Sequence, residues 1–184
     1  TDCALQHGAA FVYAIDVGYN QLDWSLRQDA RVRVMERTNF RHMTPDALAD
    51  GPRPGFATID VSFISLKLIL PPLTRMLEPG GRVVALIKPQ FEAGREQVGK
   101  SGVVRDRQVH AAVLREVLAF AGGLGLALRH LTFSPITGGE GNIEFLACWT
   151  LPASPQADGD SSENDVAQRI EAVVQEAHAA FRSA

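Results

Sequence analysis

At 184 residues and 46% hydrophobic, the chain is long enough for one well-packed globular domain with an appendage. Eighteen basic residues against twenty-one acidic ones give a formal net charge of -3, which excludes the global positive charge of a stand-alone nucleic-acid binder and leaves local patches open. Cys3 and Cys148 lack a pairable spacing and suit a reducing, cytoplasmic setting. The five scattered histidines give no metal-ligand pattern, so no metal is expected, and no apolar run reaches the ~18 residues of a membrane span.

In chain order, Thr1 to Gly8 reads as the end of a helix closed by glycine, and a first residue other than Met suggests a fragment or a processed chain. Phe11 to Gly18 is a short apolar strand with Asp16 at its end. Asn20 then suits the cap of a helix carrying Leu22, Trp24 and Leu26, whose aromatics, with Tyr19, read as core or pocket wall. Val32 to Met35 is a second strand, and Thr44-Pro45 opens a further helical segment. Phe56 to Phe63 is a third strand, again with an acid, Asp60, near its end. Ser65 to Leu77 is a mostly apolar helix that Pro71 and Pro72 are expected to interrupt or kink.

Val83 to Ile87 are consecutive apolar residues without polar alternation, as in a strand buried on both faces of a parallel sheet, and the run ends in Lys88-Pro89. Proline keeps the lysine extended and stops the ladder, so a basic side chain stands at the carboxyl edge, where open α/β sheets bind ligands. Asp106 caps a helix with Val109, Ala112, Val113, Val117 and Phe120 on one face. Leu126 to Phe133 and Ile143 to Leu151 are the last strands, joined by a connection short enough for antiparallel pairing. Residues 152–165 form an acidic linker, in which Ser162-x-x-Asp165 is a loose capping box. Val166, Ile170, Val173, Val174, Ala177 and Phe181 mark a docking face on a terminal helix over 166–184. Alternating strands and helices indicate a doubly wound α/β fold.

Several residues carry chemistry. An acid placed like Asp16 binds the ribose hydroxyls of a nucleotide cofactor, or simply starts an Asp-Val-Gly turn. Asp60, Lys88 and Glu144 converge on the ligand edge if the last strand runs antiparallel, either as a structural ion pair or as a lysine positioned on a hydroxyl by acids. Gly94 to Ser101 matches the phosphate-loop pattern G-x-x-x-x-G-K-S by letter, but it lacks a strand directly before it and a helix directly after. Arg95, Lys100 and Arg105, with Arg107, frame that loop as a solvated surface or as a clamp on an RNA backbone.

The runs Thr1-Asp-Cys-Ala-Leu-Gln-His-Gly, Ala14-Ile-Asp-Val-Gly-Tyr-Asn-Gln-Leu, Glu36-Arg-Thr-Asn, Asp60-Val-Ser-Phe-Ile-Ser-Leu, Ile87-Lys-Pro-Gln-Phe-Glu, Gly102-Val-Val-Arg-Asp and Gly141-Asn-Ile-Glu-Phe-Leu together closely resemble the haemolysin-A (TlyA) family of FtsJ-like ribosomal RNA methyltransferases. The resemblance covers almost all of residues 1–151. It implies a Rossmann-like class I methyltransferase fold, mostly parallel with the last strand antiparallel, whose first strand and glycine-rich loop are absent from this chain, as are an RNA-binding domain and the first lysine of a Lys-Asp-Lys-Glu tetrad. It also implies transfer of a methyl group from S-adenosylmethionine to a ribose 2′-hydroxyl of ribosomal RNA. Lys88 would act on the hydroxyl, held by Asp60 and Glu144; Asp16 would take the cofactor ribose, and Asn39 with the Phe40 backbone the adenine. Asp60 would serve the cofactor side as well. The partner implied is ribosomal RNA or a ribosomal subunit. Other readings on the same fold are a non-catalytic RNA-binding module and a membrane-active haemolysin; a phosphate-loop nucleoside triphosphatase is a further one.

Overall fold

The structure, a computed structural model, describes residues 1–154 and 163–181. Most of the acidic linker, with Ser162 of its capping box, lies outside the described residues, as does the chain beyond Phe181. The chain divides into two compact units, Thr1–Pro52 and Arg53–Ala184.

In the first unit, α1 (Asp2–Gln6) closes at Gly8, whose φ of +90° is a conformation that glycine adopts without a Cβ penalty. β1 (Val12–Ile15) and β2 (Val32–Met35) pair in parallel, Val12 opposite Val32 through Ile15 opposite Met35, and every position is half-buried. The helix expected from Asn20 starts later: α2 (Trp24–Arg27) is capped by Asp23, whose carboxylate accepts from the Ser25 N–H at 2.8 Å. Asn20 sits at φ +58° and donates its N–H to Glu36 at 2.8 Å. Trp24 is 72% exposed and Tyr19 64%, so neither is the core residue that its hydrophobicity suggests. Pro45 opens a single 3-10 turn, Pro45–Leu48, without a side-chain bond from Thr44. Tyr13 ties the end of the unit back to its strand by donating to the Pro52 carbonyl at 3.0 Å. Gly51 leaves room for that contact, since a Cβ would fall 2.1 Å from the tyrosine oxygen and displace it.

The second unit is built on a four-stranded sheet of order β3-β4-β6-β5, from β3 (Phe56–Ile59), β4 (Arg82–Ile87), β5 (Ala127–Phe133) and β6 (Phe145–Thr150). β3 and β4 are parallel, and β6 runs antiparallel to both β4 and β5, so the last strand reverses as its short connection allows. Val83, Ala85 and Ile87 on β4 and Phe145, Ala147 and Trp149 on β6 share one face and are at most 1% exposed. Each large side chain there contributes roughly 1.5–3 kcal/mol of apolar burial. The opposite face, with Val84, Leu86, Leu146 and Cys148, is half-buried, so β4 is more deeply covered on one face than on the other.

Helices α3 (Leu66–Met76), α5 (Arg107–Gly123) and α6 (Glu163–Ala180) form the covering layer: α5 and α6 pack on β5 and on each other, and α3 packs beside α5. Ser65 caps α3 by accepting from the Lys67 N–H at 3.1 Å. Pro71 and Pro72 do not interrupt this helix, which is continuous through both. The carbonyls that their missing N–H groups release belong to Lys67 and Leu68, outside the buried stripe of Leu66, Ile69, Leu70, Leu73 and Met76. Asp106 caps α5 as expected, accepting from Gln108 N–H at 2.7 Å. The buried face of α5 is rotated from the expected one: His110, Val113, Leu114, Val117, Leu118 and Ala121 point inward, while Val109, Ala112 and Phe120 are half-buried. The rotation follows from His110, which packs edge-on against Phe145 and bonds through Nδ1 to His178 Nε2 on α6 at 2.9 Å. On α6, Ile170, Val173, Val174 and Ala177 dock as the spacing predicts, and Phe181 reaches the Phe133 ring. Among the described residues no helix is long and apolar enough to cross a membrane.

Candidate functional site

Lys88 leaves β4 in extended conformation, φ -109° and ψ 100°, and the residues after it form a short helix, α4 (Pro89–Glu92), where the sequence suggests only a connecting loop. Proline at the first helical position explains both features: it has no N–H to lose and forbids a helical Lys88. Lys88 Nζ lies 2.6 Å from Asp60 Oδ1 and donates to Ser62 Oγ at 3.2 Å. The lysine side chain is 13% exposed and that of Asp60 72%. A pair this open to water stabilises the fold by about 1 kcal/mol or less, so its consequence is orientation of the amine.

A series of contacts fastens α4 to the connection between β3 and α3. Beyond the Lys88 contacts, the Phe63 and Phe91 rings meet at 4.9 Å, and Glu92 accepts from the Ser65 hydroxyl at 2.6 Å and the Leu66 N–H at 2.7 Å. Burial raises the Glu92 carboxyl above the ordinary carboxylate range, against the Ser65 hydroxyl and Leu66 N–H, which lower it. Phe63 is 91% exposed at φ +61°, a costly conformation for a bulky residue. The sequence reading places Phe63 at the end of the third strand, but β3 stops at Ile59, and the apolar flanks Val61 and Ile64 hide the exposed aromatic from a reading by hydrophobicity.

Glu144 is 8% exposed. Continuing the β4–β6 register one step past Ile87 and Phe145 sets Lys88 opposite Glu144, so the three predicted residues do share one edge. The expectation that both acids hold the lysine is met only by Asp60. Glu144 Oε1 instead accepts from Gln90 Nε2 at 3.3 Å, its carbonyl accepts from the Ser134 N–H at 2.8 Å, and its carboxylate lies against Gly138, where a Cβ would be 2.2 Å from Oε1. Gln90 Oε1 is buried without a partner among the described residues.

In the first unit, Asp16 is exposed, and its Oδ1 accepts from the Gly18 N–H at 2.6 Å, an Asx-type turn that engages one oxygen; Oδ2 bonds to no described residue. The loops after β1 and β2 are laced together: Arg37 N–H donates to Gly18 O at 2.9 Å and Thr38 N–H to Asp16 O at 3.0 Å, while the Arg37 guanidinium stands 4.3 Å from the Tyr19 ring centre. Glu36, which sequence reasoning saw only as part of a motif, organises this region. Its carboxylate accepts from the N–H groups of Asn20 and Gln21 at 2.8 and 2.9 Å, and of Leu22 at 3.5 Å, and pairs with Arg27. Burial alone would raise this carboxyl, but those N–H donors and the guanidinium overcome it and lower it to about 2. Asn39 is exposed before the 3-10 turn Phe40–His42, and its side chain bonds to no described residue; Phe40 is half-buried.

Arg95, Lys100 and Arg105 are exposed and form no ion pair among the described residues. Arg95 opens a 3-10 turn, Gly102 turns at φ +77°, and α5 begins only at Arg107. The segment from Gly94 to Ser101 thus has α4 before it and a turn after it, not the strand and helix that a phosphate loop requires.

Residues 1–151 match the family described as FtsJ-like methyltransferase. The chain is 57% identical over 178 residues to the Bacillus subtilis rRNA methyltransferase YqxC, covering 97% of this chain and 62% of that protein. It is 46% identical over 145 residues to the Mycobacterium tuberculosis 16S/23S rRNA (cytidine-2′-O)-methyltransferase TlyA, covering 79% and 53%. A solved hemolysin from Streptococcus thermophilus superposes with a TM-score of 0.87 at 54% identity, over 99% of this chain and 63% of that one. The chain therefore spans between half and two thirds of the length of these relatives. An S-adenosylmethionine-dependent methyltransferase from Listeria monocytogenes, 15% identical with a TM-score of 0.57, shares the fold.

Proposed function

This chain belongs to the FtsJ-like methyltransferase family, and from that premise we propose that it methylates a ribose 2′-hydroxyl of ribosomal RNA, with S-adenosylmethionine as donor. The observation that carries the proposal is the placement of Lys88 Nζ at the carboxyl edge of β4, held by Asp60 at 2.6 Å and Ser62 at 3.2 Å. A ribose hydroxyl is a weak nucleophile. An amine fixed beside it orients its lone pair and, in neutral form, takes its proton as the new O–C bond forms, which supplies ~10²–10⁴-fold. Asp60 then holds the ammonium so produced. Phe63, exposed beside Phe91 at the same edge, offers a face on which a nucleotide base stacks. Glu144, kept in place by Gln90 and Gly138, stands opposite Lys88 to hold a polar group of the incoming ribose.

The residues of the first unit suit the cofactor. Asp16 has one carboxylate oxygen that bonds to no described residue, the group that a ribose diol needs, and the Asn39 amide, likewise without a partner among the described residues, suits the adenine edge beside Phe40. When bound, S-adenosylmethionine supplies an electrophilic methyl group. The exposed cations Arg95, Lys100 and Arg105 give the sequence-independent attraction for the RNA backbone. We propose that residues 1–151 serve this activity together, in a cytoplasmic protein longer than this chain.

The test compares this chain with one extended upstream to the length of its relatives, measuring S-adenosylhomocysteine binding by calorimetry and methyl incorporation into ribosomal RNA. Lys88→Ala in the extended protein should cut incorporation ~10²–10⁴-fold and leave cofactor affinity unchanged. Undiminished methylation would overturn the role of Lys88 and favour a non-catalytic RNA-binding module.

A further inference from the structure

Asn142 is a polar residue at 3% exposure, and its side chain is fully engaged. Its Oδ1 accepts from the Val104 N–H at 3.1 Å, and its Nδ2 donates to Gly102 O and to Gly139 O, each at 3.0 Å. The orientation of the amide is unambiguous, since an N–H can face only the oxygen and carbonyls only the NH₂ group. Two loops meet on this one side chain. The first, Gly99 to Val104, is closed by the Gly102 N–H on Gly99 O at 2.8 Å and the Gly99 N–H on Val103 O at 3.1 Å, and it buries Val103 and Val104 while presenting Lys100 and delivering Arg105 to the surface. The second, Gly138 to Asn142, is closed by the Gly138 N–H on Asn142 O at 2.8 Å, and its Gly138 is the wall against the Glu144 carboxylate.

We infer that Asn142 is a positioning residue that couples the basic loop of Lys100 and Arg105 to the Glu144 side of the reaction edge, so that RNA held by the loop is presented in register with the groups that act on it. The nearest replacements each lose something there: aspartate would aim a carboxylate at two carbonyls, leucine would orphan the Val104 N–H, and a longer amide would have to enter a buried site. The inference rests on the RNA reading proposed above.

The experiment is a double-mutant cycle in the upstream-extended protein, with deproteinised bacterial ribosomal RNA as probe and salt concentration as the second variable. Asn142→Ala should weaken RNA binding about 5–10-fold, as should the pair Lys100→Ala and Arg105→Ala, and the combined variant should bind no more weakly than either. In both arms the dependence of log affinity on log salt should flatten by up to about 1.5, the loss of two phosphate contacts, while S-adenosylhomocysteine affinity stays within about twofold. Asn142→Ser, whose hydroxyl can serve only one loop, should fall with Asn142→Ala, and unchanged amide-exchange protection in β5 and β6 of both variants shows that the loss is not a failure to fold. Additive losses, or an unchanged salt slope in the Asn142 variants, would overturn the coupling even where RNA binds. If the parent binds S-adenosylhomocysteine but no RNA at any salt, the RNA reading itself falls, and this inference falls with it.

Discussion

The two units are held together by different forces. In Arg53–Ala184, Leu70, Leu77, Val83, Ala85, Ile87, Leu114, Val117, Phe145 and Trp149 have no exposed surface, and the helices sit on an apolar sheet face. In Thr1–Pro52, both strands are half-buried throughout, and the buried apolar side chains are Leu5, Met43 and Leu48. What orders the first unit is polar: one Glu36 carboxylate gathering the N–H groups of Asn20, Gln21 and Leu22 with Arg27, and one Tyr13 hydroxyl tying down Pro52. The proposed base is thus carried by a close-packed unit, where a displacement of an ångström would matter. The proposed cofactor groups lie in a unit with little apolar burial, from which low-cost local opening is expected.

That contrast can be broken most directly at Phe145. Phe145→Ala should destabilise the second unit by about 3–5 kcal/mol through lost burial and a cavity beneath His110. The comparison predicts that amide-exchange protection in β5 and β6 falls while that in β1 and β2 does not, and equal loss in both units would refute it.

Acid sharpens the contrast, because the two units should fail in different pH windows. Burial, then the neighbouring His178, pushes the His110 imidazole down to about 4, opposed by the Val104 backbone and Asp106. The unfolded state therefore binds the proton first: the second unit keeps the full contribution above about 6.5 and loses up to about 3 kcal/mol as pH falls to 4. A denaturation midpoint for β5–β6 that stays level between these values would contradict this, and His110→Gln should flatten it. Glu36 works in a lower window. Its folded carboxyl is depressed from 4.5 to about 2, so its contribution is complete above 4.5 and disappears as pH drops toward 2. Glu36→Gln should reproduce that loss at neutral pH, seen as faster exchange at Gln21 and Leu22 and weaker S-adenosylhomocysteine binding, the smallest of these effects. Unchanged exchange there would show that the loop is ordered by something else.

Much of the second unit was legible in the sequence because its signals are local. A lysine before proline at the end of an apolar run, Asp106 before a periodic segment, a short glycine-rich connection and the Ile170–Ala177 spacing each determine structure within a few residues. The misreadings are of another kind. The continuity of α3 through Pro71 and Pro72 depends on which carbonyls the prolines release, and the rotation of α5 on what His110 meets sixty-eight residues away. The start of α2 was displaced because Glu36, fourteen to sixteen residues on, captures the N–H groups that Asn20 would have used to begin a helix. At the proposed site, residue type and strand edge pointed to Asp60, Lys88 and Glu144. The partners that fix them, Ser62, Gln90 and Gly138, are ordinary residues whose role appears only once the chain is folded.

The placement of the two tryptophans has an optical consequence. Trp24 stands in water in the first unit, while Trp149 has no exposed surface in the second and its indole N–H meets no acceptor among the described residues. An indole so enclosed emits at short wavelength and a hydrated one at long wavelength. The chain therefore carries a differently coloured intrinsic fluorophore in each unit, and the red shift of the short-wavelength Trp149 band during unfolding reports the melting of the second unit without any label, against a Trp24 band that stays at long wavelength throughout.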